Sequence, residues 1–134
     1  MAYTIQWYDT QQRHILVTVV EQLPYEDTIE ILHIVLEMRE NSPQRGYLIM
    51  DMRKVRRSGQ FRVDKIREII NHPLSTHPNH AGTHLVLAGA FALIFIDAMK
   101  HIFPAVLKLM EVHGTLHDVN HKLGLNADEL LVTN

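Results

Sequence analysis

The apolar run Tyr47-Leu48-Ile49-Met50 ends in Asp51-Met52-Arg53, passes through a basic segment from Lys54 to Gly59, and enters an amphipathic stretch. An apolar run bounded in this way reads as a strand buried on both faces. When such a strand opens into a loop and then a helix, it forms one arm of an α/β fold, and ligands and partners meet these folds at the carboxyl ends of the strands. The run therefore constrains both the architecture and the place to look for a site.

The flanking sequence extends the pattern. Residues 4–8 and 14–20 read as strands of an antiparallel hairpin joined by the polar loop 9–13. Pro24 stands where a helix can begin, with Glu26 and Asp27 in the first turn where the helix dipole favours them. Ile31, Ile34, Val35 and Met38 make a core-facing stripe that runs to about Glu40, where Asn41-Ser42-Pro43 breaks it. Residues 47–52 form the third strand. Val63, Ile66 and Ile70 mark the next helix, stopped near His72-Pro73 because the residue before a proline disfavours the α region. Residues 83–88 read as a fourth strand, and Phe91, Phe95, Ala98 and Ile102 as a helix closed by Pro104. A fifth, edge strand is expected over 106–112, since Lys108 and Glu111 break its apolar run. Thr115 caps a last helix, with Asp118 at its third position and Gly124 where a terminating glycine belongs. The expected order is ββαβαβαβα, a mixed sheet with helices packed against it. It is one domain over 1–134, with its core at 3–124 and a short tail at 125–134.

Composition narrows the function classes. A chain of 134 residues can bury one core. Its formal net charge of -2 gives no overall attraction to nucleic acid or anionic membrane. With no cysteine, it has neither a thiol nucleophile nor a thiolate zinc site. The longest apolar stretch, 85–96, is too short to span a bilayer, and the amino terminus lacks the pattern of a secretion signal, so a cytoplasmic location is expected.

The residue order, the Asp51-Met52-Arg53 turn and the Ser58-Gly59 pair before the next helix together resemble the STAS domain of anti-sigma-factor antagonists. Trp7 near the end of the first strand, the His77-Pro78-Asn79 turn and the final helix resemble small stand-alone bacterial STAS-like proteins. The resemblance covers about residues 3–124. It implies a compact, non-enzymatic domain without cofactor that binds another protein in a regulatory role. In antagonist domains a phosphorylatable serine lies in an Asp-Ser-Ser-Gly motif. Ser58 and Gly59 match its last two positions, making Ser58 the implied phosphorylation site, while Arg57 and Arg56 stand in place of the first serine and the aspartate.

The expected partner or anion surface is Asp51, Arg53, Arg56, Arg57, Ser58 and Gly59, with Asp51 fixing the loop by accepting backbone N–H bonds. The wider basic segment includes Lys54, Arg62, Lys65 and Arg67, offset by Asp64 and Glu68. It suits an acidic protein surface, or in a third reading an anion or nucleotide. Phe61 alone gives no aromatic interleaving for nucleic acid. A second reading is a small-molecule or lipid-binding module with an apolar interior near Phe91 and Phe95, and a second copy of the chain is an alternative partner. Ten histidines invite a search for metal ligands. His72, His77, His80 and His84 crowd one connection, and His117 and His121 share a helix face, but no third ligand joins them by spacing, so no metal site is expected.

Overall fold

The computed structural model describes residues 3–55, 63–102, 104–108 and 110–132. Five strands, β1 (Tyr3–Trp7), β2 (Ile15–Glu21), β3 (Gly46–Val55), β4 (His80–Val86) and β5 (Met110–His113), form one sheet in chain order. β1 and β2 are antiparallel, and every later pairing is parallel. The chain is therefore an α/β protein with a mixed sheet, as its pattern of strands and helices predicts. β3 is central and β5 lies at an edge.

Alternation along the strands sorts side chains to two faces. Ile15, Val17 and Val19 of β2 join Leu48 and Met50 of β3 and Leu85 of β4 on one face. α1 (Tyr25–Glu40) covers it with Ile31, Leu32 and Val35, and α2 (Val63–Ile70) and α3 (Gly89–Ile102) add Ile69, Ala92 and Phe95. Ile31 and Val35 are fully buried, each contributing about 1.5–3 kcal/mol of apolar transfer. Leu16, Ile49 and Val86 point to the opposite face, where α5 (Leu116–Leu123) lays Leu116 and Val119 over them. Thr115 caps α5 by accepting the Asp118 N–H at 3.1 Å, and Gly124 ends it in the left-handed region at φ 69.

Several boundaries differ from the sequence reading. β3 runs on through Lys54 to Val55, so the basic segment begins inside the strand. β4 starts at His80 because a short 3-10 turn, Pro73–Thr76, brings the chain back to the sheet early. The fifth strand, expected over 106–112, is β5 at Met110–His113, since Pro104–Leu107 forms a separate short helix, α4. The short tail is anchored at Leu125, Leu130 and Leu131. Leu125 is buried, the Leu131 N–H donates to the Tyr8 carbonyl at 2.9 Å, and Leu130 bridges to Asp9.

Candidate functional site

Asp51 and Arg53 lie on the face covered by α5, toward the carboxyl end of β3. Asp51 is buried and accepts the Arg53 backbone N–H at 3.2 Å, a bond within β3 and not in the loop where it was expected. It also holds the Arg53 guanidinium in two bonds, Nε to Oδ1 at 2.9 Å and Nη2 to Oδ2 at 2.8 Å. Burial by itself would raise the Asp51 pKa, but the bonds from Arg53 outweigh it and hold the carboxyl below its usual value. Arg53 is thus engaged within its own strand, which reduces what it can offer an external anion. Lys54, next to it, is exposed. Arg56, Arg57, Ser58 and Gly59 lie outside the described residues, as do the Phe61 and Phe91 side chains.

The same sheet face carries a row of rings that crosses three parallel strands. His14, just ahead of β2, stacks on Tyr47 of β3 at 5.9 Å between ring centroids, and Tyr47 meets His84 of β4 edge-on at 4.6 Å. His84 lies 5.2 Å from the ring of His113 on β5. Strand register explains the row, since His84 pairs with Glu111, Val86 pairs with His113, and residues two apart share a face. His84 Nδ1 stands 3.0 Å from His113 Nε2, and each of these nitrogens is 3.5 Å from Glu111 Oε2. The other Glu111 oxygen faces the Lys122 ammonium of α5 at 3.6 Å. Burial lowers the His84 pKa, opposed by Glu111, so the ring is neutral near pH 7.

This juxtaposition was not read from the sequence. Nearness along the chain places His84 with His72, His77 and His80, and nothing in spacing joins it to His113. The structure separates these histidines. His72 bonds His33 of α1 through Nε2 at 3.1 Å, while its Nδ1 accepts the Leu74 N–H. His117 and His121 are exposed on α5. The available signal was the Glu111-Val112-His113 triplet, whose alternation puts a carboxylate and an imidazole on one strand face.

The inner face of α3 packs into the core through Phe95 and the buried Met99. Its outer face is less usual. Leu93 is 73% exposed and Ile94 63%, adjacent apolar side chains in the second turn of a helix that starts directly after β4. The helix begins at the carboxyl edge of the parallel strands. A shallow groove of about 340 Å³ lies elsewhere, against the end of α1, lined by Trp7, Ile34, Met38 and Pro43 among others. Among the described residues no helix is long and apolar enough to cross a membrane. No protein-family model matches the chain, and no curated protein is similar enough to align with it.

Proposed function

We propose that this chain is a non-enzymatic, STAS-like interaction domain that binds another protein at the carboxyl edge of its parallel strands. The observation that carries this reading is the exposure of Leu93 and Ile94 together on α3. Scattered apolar residues are ordinary on a surface, but two neighbours at the edge where α/β proteins meet their partners form a contact patch. Covering both side chains would return about 1.5–3 kcal/mol each. Lys54 is exposed where β3 ends, and the chain continues with Arg56 and Arg57, so the expected partner is acidic around an apolar contact face.

The test replaces Leu93 and Ile94 together by serine and compares recovery of partners from an extract of the source cells. Because both positions are exposed, stability should stay within about 0.5 kcal/mol of the parent. Recovery of the partner should fall at least about tenfold, the effect of losing some 1.4 kcal/mol of binding. Equal recovery with parent and variant would remove α3 from the binding surface.

A further inference from the structure

We propose that His84, Glu111 and His113 form a binding site for a single first-row divalent cation, of which zinc is the best fit. The ligand atoms His84 Nδ1, His113 Nε2 and Glu111 Oε2 form a triangle with edges of 3.0, 3.5 and 3.5 Å. Ligands bound to zinc at about 2.0–2.1 Å in a tetrahedron stand roughly 3.3 Å apart, close to these edges. A cation just out of the plane of the three atoms would reach all of them at ordinary bond length.

Hydrogen bonding accounts for only one edge of the triangle. A proton shared between the two imidazoles satisfies the 3.0 Å contact, but 3.5 Å is too long for an N–H···O bond to the carboxylate. Two nitrogens and an anionic oxygen therefore converge on one point that protons alone do not fill. Two imidazoles with one carboxylate make a borderline donor set, suited to zinc and its neighbours rather than to calcium or magnesium. With Nδ1 of His84 on the metal, its proton sits on Nε2, a buried atom with no hydrogen-bond partner among the described residues, beside the Tyr47 ring. The site would clamp the four-residue edge strand β5 to β4 and leave a coordination position for water.

Lys122 provides a test of sign. Its ammonium lies 3.6 Å from Glu111 Oε1 and opposes a second cation there, so Lys122→Ala should tighten binding where Glu111→Gln and His113→Ala weaken it. Untagged protein is stripped with chelator and titrated with Zn²⁺ by calorimetry and with Co²⁺ by visible absorption, while circular dichroism checks that each variant is folded. One equivalent of Zn²⁺ should bind at micromolar or lower concentration. Glu111→Gln, at a half-exposed position that tolerates the change, should weaken binding at least about 100-fold, the upper end of what loss of a supporting group costs a metal site. The visible bands of bound Co²⁺ should change with it. Replacing His117 and His121 by alanine should change neither readout. If the parent binds no zinc at micromolar concentration, if Glu111→Gln and His113→Ala bind as the parent does, or if binding instead follows His117 and His121, the site is not there.

Discussion

At the scale of single residues, His14 shows how burial turns an ordinary side chain into a pH-dependent support. Its Nδ1 accepts the Tyr47 N–H at 3.1 Å, so the ring proton is on Nε2 and the imidazole is neutral. Burial lowers its pKa to about 4, with Asp9 opposing the shift, and burial lowers His80 to about 4 as well. An unfolded histidine titrates near 6.5, so below that pH the unfolded chain binds more protons than the folded one. The stabilisation is whole above about pH 6.5 and is lost as the pH falls toward 4. In that window the slope should approach about 1.4 kcal/mol per pH unit for each of the two imidazoles. Urea unfolding in the presence of chelator measures it. His14→Asn, whose amide oxygen can replace Nδ1 as acceptor, should flatten the profile by about one such slope, and an unchanged profile would place the pH dependence elsewhere.

At the scale of elements, α1, β2 and β3 are tied where β3 begins. Arg39 of α1 is fully buried and donates to the Arg13 carbonyl at 2.5 Å and the Tyr47 carbonyl at 2.9 Å. Gly46 lies against that same Arg13 carbonyl, and a Cβ there would come within 1.6 Å of the oxygen. Backbone, not a movable side chain, would have to give way. Gly46→Ala should therefore cost more than about 2 kcal/mol in chemical denaturation, while Gly114→Ala, with open space around it, should stay within about 0.5 kcal/mol. Apart from α4 and the short 3-10 turns, the elements were legible in the sequence. The apolar run at Tyr47 marked the central strand, Pro24 and Asn41 bounded α1, and Thr115 and Gly124 bounded α5, because caps and periodicity act locally. The end of β3 and the shortening of β5 were not legible, since sheet pairing and the α4 turn decide them from a distance.

At the scale of the whole molecule, the distinction between local and long-range causes also separates what was readable about function. The two-residue spacing of Asp51 and Arg53 is local, and the N–H bond between them lies within β3 and not in the loop for which it was expected. The placement of His84, Glu111 and His113 depends on the register of two parallel strands separated by α3, which neither spacing nor composition encodes. Leu93 and Ile94 lie within the apolar stretch 85–96, and the inward packing of Phe95 and Met99 shows which side is left in water. Hydrogen-exchange mass spectrometry, on the chain alone and saturated with its captured partner, tests the interaction reading most directly. Binding at the carboxyl edge should slow exchange in peptides from the end of β3 and from α3, Gly89–Ile102, and leave β1 and α5 unchanged. Protection confined to α5 or to the groove beside Trp7, with α3 exchanging as in the free chain, would contradict it.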